Sequence, residues 1–327
     1  MRAAWYAEFG AAKDIFEIGE LDKPVAGDGE VLVRVHATGI NPLDVKRRAG
    51  LRGPMMGEVM IPHFDGAGVI EAVGAGVDAG RIGERVWLYE GHMRRANGTA
   101  AEYIALDASR ANPLPEGQSF AAGACLGIPA MTAHAAVFTD GPVGGQTILV
   151  TGAAGAVGNY AVQMARNGGA TVIGTVSSDE KAARAMEDGA THTINYRTED
   201  VAARIKELTD GKGVDRVVEV ELGGNIETTV RILKTGATIA AYASMAEPVV
   251  PYPFYKLLAK APTLHIIGCF TMAEAFKTQS VADISRWMAA GKLTSRVARE
   301  FPLEDIAAAH ELVEEGSQVG GVVVTIE

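Results

Sequence analysis

Residues 146–175 read QTILVTGAAGAVGNYAVQMARNGGATVIGT, and the succession of textures within them decides the fold. The apolar run Ile148-Leu149-Val150 reaches a glycine-rich turn, Gly152-Ala153-Ala154-Gly155-Ala156-Val157-Gly158. A helix-patterned segment follows, and then a second apolar run over residues 170–174. This is a strand, a tight turn, a helix and a parallel strand. Glycine at such a turn permits backbone conformations barred to other residues, lets phosphates approach bare backbone and lets the helix pack on the sheet. The helix N-terminus then offers free N–H groups and a partial positive charge to a pyrophosphate. Glycine-rich turns also join strands to helices for packing alone, but here both flanks are those a dinucleotide site requires.

Outward from this stretch, strands and helices alternate. Residues 170–175, 193–196, 216–220, 238–242 and 264–268 read as strands, with helices near 180–187, 198–208 and 225–233. That spacing predicts a mostly parallel sheet covered on both faces, a doubly wound α/β domain. Upstream the pattern is short and strand-like at residues 30–37, 68–73, 83–88 and 101–106, with Gly, Pro, Asp and Asn between, which predicts a mostly antiparallel β domain. Helical texture begins at Ser119. The tail carries helical patterns at 281–290 and 303–315 and a β-rich end at 321–326, and is expected to return to the first domain. The chain of 327 residues is thus divided into residues 1–124, 125–270 and 271–327.

A formal charge of −10 and a pI near 5.3 argue against binding nucleic acid or an anionic membrane. Cys125 and Cys269 are far apart in apolar contexts, so they are read as buried free thiols and build neither a disulfide framework nor a cysteine zinc site. No run approaches a membrane span and the N-terminus lacks a signal pattern, from which a cytoplasmic location is expected.

Six segments carry a resemblance over nearly the whole chain: HATGINPLDVKRRAG (36–50), FDGAGVIEAVGAGV (64–77), GIPAMTAHAA (127–136), the glycine turn, GATHTINYR (189–197) and HELVEEGSQVGG (310–321). With these the sequence resembles the medium-chain dehydrogenases/reductases, specifically their zinc-free quinone oxidoreductase branch, which includes ζ-crystallin. The resemblance implies a GroES-like substrate domain in two pieces around a Rossmann domain, with the cofactor in the cleft between them. The zinc-dependent members carry a Cys after the first strand and a His-Glu pair before the GAG segment; here those places hold Asn41 and Phe64-Asp65, and His63 lies one residue early, so no metal is expected.

Asn41 and Asp44 match the branch's Asn-x-x-Asp, whose members place these side chains near nicotinamide and substrate; alone, the residues also read as an Asn-Pro turn and a helix cap. Lys46 and, by a less firm alignment, Arg52 replace the branch's tyrosines and are nominated to stabilise charge on an acceptor; with the run Lys46-Arg47-Arg48 beside them, the two also read as lying on a solvated loop. Gly320-Gly321 replaces the branch's Gly-Lys. For the cofactor, the resemblance implies Thr132, Tyr242-Ala243-Ser244 and Cys269-Phe270-Thr271, besides Gly152, Ala154, Gly155, Ala156, Val157 and Gly158 of the turn. The second strand of the Rossmann unit ends Gly174-Thr175-Val176-Ser177-Ser178 without an acid, and Ser177, Lys181 and Tyr196 stand where the branch contacts a 2′-phosphate, so NADPH is expected over NADH. The expected activity is reduction of a quinone or enone, with 2-alkenal or enoyl-thioester reduction and a non-enzymatic NADPH-binding role as alternatives. The apolar run 264–270 would be a bare sheet edge, from which a homodimer is expected.

Overall fold

The computed structural model describes residues 1–327, in two compact units: residues 1–129 with 281–327, and residues 130–280. The chain passes between them inside the helices Gly127–Phe138 and Glu274–Ala289, so the tail helix begins earlier than its sequence pattern shows.

The first unit is built on a seven-stranded sheet. Its path runs Val297–Pro302, Gly321–Thr325, Glu30–Ile40, Asp65–Val73, Arg85–Leu88, Ala111–Pro113, and Tyr103–Asp107 pairs separately with Glu30–Ile40. All pairings are antiparallel except that of the two strands from the tail. The long strand Glu30–Ile40 is apolar over most of its buried positions, and Val31, Val33 and Val35 join Ile70, Ile104, Leu106, Val322 and Val324 in one core. Its register sets Thr38 opposite Gly66 and Gly39 opposite Asp65. That pairing brings the start of the helix Pro42–Arg48, which follows the strand at once, beside the residues around Asp65.

The second unit is a six-stranded, wholly parallel sheet in the order His192–Asn195, Thr171–Val176, Thr147–Val150, Val214–Glu219, Leu233–Ala241, Thr263–Ile266. Leu149, Ile173, Ile194, Val217 and Ile239 fill its core. Such continuous apolar strands follow from burial on both faces. The chain leaves Thr147–Val150 through the glycine turn, enters the helix Ala156–Asn167 and returns as the neighbouring strand Thr171–Val176. Thr263–Ile266 is an edge strand, and its Ile266 is 70% exposed.

Some sequence expectations need correction. Cys125 is buried, but Cys269 is only partly so, because it sits in a short 3-10 turn beyond the edge strand. The run Lys46-Arg47-Arg48 is not a solvated loop: it lies on the helix Pro42–Arg48, where Arg48 is fully buried and Lys46 and Arg47 are partly buried. Arg48 reaches the carbonyl of Gly10 and the carboxylate of Glu314. His63, between strands, is fully buried.

Candidate active site

In the second unit the glycine turn has the form its sequence requires. Gly152 has φ +62°, a conformation L side chains resist, and a Cβ on Gly158 would stand 2.1 Å from the Gly152 carbonyl oxygen. The helix therefore starts hard against the strand. Its N-cap is Gly155, which has no side chain to bond the first amides, so the amides of Ala156, Val157 and Gly158 lack an internal acceptor and are suited to an anion. The Thr175 hydroxyl accepts from the Gly152 N–H at 3.2 Å, tying the turn to the next strand.

Beyond Val176 no carboxylate closes the strand. Ser177 is partly exposed, Ser178 caps the helix Asp179–Glu187 by accepting from the Lys181 N–H, and Lys181 stands in the first turn of that helix. Tyr196 is 51% exposed at the end of the neighbouring strand. A neutral strand end beside a hydroxyl and an ammonium fits a ribose bearing a phosphate. Thr132 is buried in the helix Gly127–Phe138.

Two acids that sequence reading did not nominate shape the loop around Ser244. Buried Glu219 accepts from the Thr151 hydroxyl (2.8 Å), the Glu221 N–H (2.7 Å) and the Asn225 amide (2.9 Å). Glu221 accepts from the N–H groups of Met245 (2.7 Å) and Ala246 (3.0 Å), and Ser244 accepts from the Gly223 N–H at 2.9 Å. Tyr242 follows on the strand end, its N–H bonded to the Glu219 carbonyl at 3.0 Å; burial and Glu219 push its hydroxyl above its usual range. Cys269, Phe270 and Thr271 form the 3-10 turn after the edge strand, and the Thr271 hydroxyl donates to the Gly268 carbonyl.

In the first unit, Asn41 and Asp44 are buried together at the start of the helix Pro42–Arg48. Pro42 at its first position needs no donor and has the helical φ already set. Asn41 is the N-cap, and its N–H donates to Asp44 Oδ2 at 2.7 Å. The Asn41 amide Nδ2 donates to Asp65 Oδ2, also at 2.7 Å, and the same oxygen accepts from the Ile128 N–H at 2.8 Å. The cap reading of Asn41 and Asp44 is thus realised in this geometry.

Burial dominates the acidity here. It pushes Asp44 up to about 7 despite the Asn41 N–H, and raises Asp65 well above the carboxylate range, with Asp44 adding to the effect. Asp65 occupies the place of the acid in the zinc-dependent His-Glu pair, a signal that could have nominated it. The Thr38 and Thr99 hydroxyls lie 2.6 Å apart and 3.1 and 2.7 Å from the Asp65 carbonyl oxygen; with one proton each, one donates to its fellow and the other to that carbonyl. Thr38 also meets His63 Nδ1 at 2.9 Å, and His63 Nε2 meets His310 Nε2 at 2.8 Å; burial lowers both imidazoles, so one ring donates and the other accepts.

Lys46 is partly buried and Arg52 exposed. Burial first, and then Arg52, lowers the Lys46 ammonium. Arg47, which the sequence reading passed over, has its guanidinium 5.9 Å from the centre of the Phe64 ring, and His92 stacks obliquely on the same ring at 5.4 Å. His92 comes from a turn without periodic pattern, and nothing in the sequence marks it.

Comparison with known proteins places these features in context. A family model described as zinc-binding dehydrogenase matches residues 156–289, and one described as alcohol dehydrogenase GroES-like domain matches residues 27–116. Human quinone oxidoreductase is 30% identical over 100% of this chain and 98% of its own. A 2-haloacrylate reductase from Burkholderia sp is 31% identical over 99% and 98%. Among solved structures, an NAD-dependent alcohol dehydrogenase superposes with a TM-score of 0.91 at 30% identity, covering both chains fully. The Escherichia coli quinone oxidoreductase complexed with NADPH superposes at 0.86 and 25% identity, again over both chains.

Proposed function

We propose, from the premise that this chain belongs to the quinone oxidoreductase family of the medium-chain dehydrogenases/reductases, that it is an NADPH-dependent, metal-independent reductase of quinones and other carbonyl-conjugated acceptors. The observation that carries the reading is the acid-free end of Thr171–Val176, with Ser177 and Lys181 beside it, next to a helix whose glycine N-cap leaves its amides free. When bound, the cofactor supplies a hydride to an electron-poor carbon. Ala156, Val157 and Gly158 hold the pyrophosphate, Ser177, Lys181 and Tyr196 hold the 2′-phosphate, and Ala154 and Gly155 shape the turn. Thr132, Tyr242, Ser244, Cys269, Phe270 and Thr271 are assigned to the ribose and nicotinamide.

On the acceptor, Asn41 stabilises oxygen charge through its second Nδ2–H, since the first is committed to Asp65. Asp44 orients Asn41 by holding its backbone N–H. Lys46 and Arg52 contribute positive charge. Asn41 and the phenyl ring of Phe64 stand at two ligand positions of the zinc-dependent relatives, and neither suits catalytic zinc, so an acceptor already activated by conjugation is required. The Burkholderia relative favours conjugated alkenes as a second acceptor class.

We place the protein in the cytoplasm, whose reducing poise suits Cys125 and Cys269, which form no disulfide, and as a homodimer paired along Thr263–Ile266. The test is oxidation of NADPH and NADH against ortho- and para-quinones, 2-alkenals and enoyl-CoA esters. Preference for NADPH with quinone turnover is expected. Turnover of enoyl-CoA esters alone would reassign the acceptor, and equal use of NADH would overturn the cofactor assignment.

A further inference from the structure

Arg47 sits in the middle of a basic run, yet its partners differ from those of Arg48. Arg48 is neutralised by Glu314 and a carbonyl. Arg47 makes no ion pair, and its Nε is buried without a hydrogen-bond partner. Three more polar atoms around it share that state: the Tyr6 hydroxyl and both ring nitrogens of His92. Tyr6 is fully buried and His92 is 1% exposed. The Arg47 guanidinium and the His92 ring both lie against the Phe64 ring, and Tyr6, Asp44 and His92 all feel the Arg47 charge. The Arg47 guanidinium also reaches toward Gly53, in the exposed stretch after the helix.

A buried polar atom without a partner is a standing cost, and four in one place are uncommon in a protein interior. An uncompensated guanidinium beside a phenol and an imidazole, each able to donate, is a complementary receptor for a planar carboxylate. The near acid makes no ion pair with it: Asp44 turns Oδ2 to the Asn41 N–H, and its Oδ1 is itself buried without a partner. The apolar wall supplied by Phe64, with Met60 beside Tyr6, lowers the local dielectric and strengthens such a contact.

We propose that Arg47, with Tyr6 and His92, forms an anion-recognition subsite for the acceptor, so that the protein acts best on conjugated acceptors bearing a carboxylate or a similar anion. This rests on the reductase reading above and narrows its substrate class. Arg47 is here a specificity-determining residue, and the subsite adds no bond-making step to the reduction.

The test compares acceptors that share a reactive group but differ in charge: 1,2-naphthoquinone-4-sulfonate against 1,2-naphthoquinone, and 2-chloroacrylate against its methyl ester. With wild-type protein, kcat/KM should favour the anionic member of at least one pair. In Arg47→Met the anionic-to-neutral ratio should fall at least about tenfold, mostly through KM, and Arg47→Lys should restore part of it. A second measurement uses wild-type protein only: 2-chloropropionate, which cannot be reduced, should inhibit turnover of the neutral quinone competitively, and its amide should not. Turnover of neutral acceptors with no advantage for anions, equal inhibition by acid and amide, or an unchanged ratio in Arg47→Met would overturn the subsite and leave the reductase reading intact. No NADPH consumption with any acceptor would overturn both.

Discussion

Asp44 offers a prediction whose sign and size both follow from its burial. Its carboxyl is pushed from 3.8 to about 7 because the folded chain removes it from water. The folded state therefore holds a proton there that the unfolded chain releases above about pH 4. Stability from this group is fully present below 3.8 and is lost as pH rises through about 7. Between pH 5 and pH 8 the loss is about 3 kcal/mol, from the two proton-binding curves. Wild-type stability alone does not isolate it. Buried His63, His92 and His310 are lowered, and these contribute stability that disappears in the opposite direction, as pH falls below the ordinary imidazole range. Asp65 has the sign of Asp44. The imidazole contributions largely cancel when wild type is compared with Asp44→Asn, which keeps an oxygen acceptor for the Asn41 N–H and cannot titrate, while the coupled change at Asp65 belongs to the difference measured. Urea unfolding of both proteins at pH 5 and pH 8 should show the wild type gaining about 3 kcal/mol over the variant at the lower pH. A stability difference independent of pH would refute the argument that Asp44 is protonated in the folded protein.

Other expectations test separate parts of the account. Lys181→Ala should weaken NADPH binding about tenfold and leave NADH binding nearly unchanged by calorimetry, the value of one charge-assisted contact; equal losses would remove Lys181 from the phosphate site. Gly158→Ala must push a methyl group into the Gly152 carbonyl, so it should lower thermal stability and cofactor affinity together, and a variant normal in both would contradict the close approach of helix and turn. Ile266→Lys, on the exposed edge strand, should convert a dimer at micromolar concentration into a monomer by sedimentation, and a wild-type monomer would rule out edge pairing.

The parts of the fold legible in the sequence were those with local causes. The strand Thr147–Val150, the glycine turn and the returning strand Thr171–Val176 are specified within thirty residues, because glycine at Gly152 and Gly158 is a steric requirement. Asn41 and Asp44 were legible because Asn-Pro-x-Asp is both a helix start and a branch signature. The environment of the next turn of that helix was not. Arg48 is buried because Glu314 and Gly10 come to it from distant parts of the chain, and Arg47 lies against Phe64, with its charge felt by Tyr6 and His92 from other segments. A charge run reads as a solvated face unless those partners are known. Glu219 and Glu221 escaped notice for a similar reason: their acceptors are engaged by loop amides that carry no sequence pattern.

The central claim is metal-independent hydride transfer from NADPH to a conjugated acceptor. The most direct measurement is the turnover of an ortho-quinone with NADPH carrying deuterium on the transferred position, in protein treated exhaustively with chelator. The account predicts one NADPH consumed per quinone reduced, a primary isotope effect and no loss of rate on chelation. Activity abolished by the chelator and restored by zinc, or no NADPH consumed with any quinone or conjugated carbonyl compound, would contradict it.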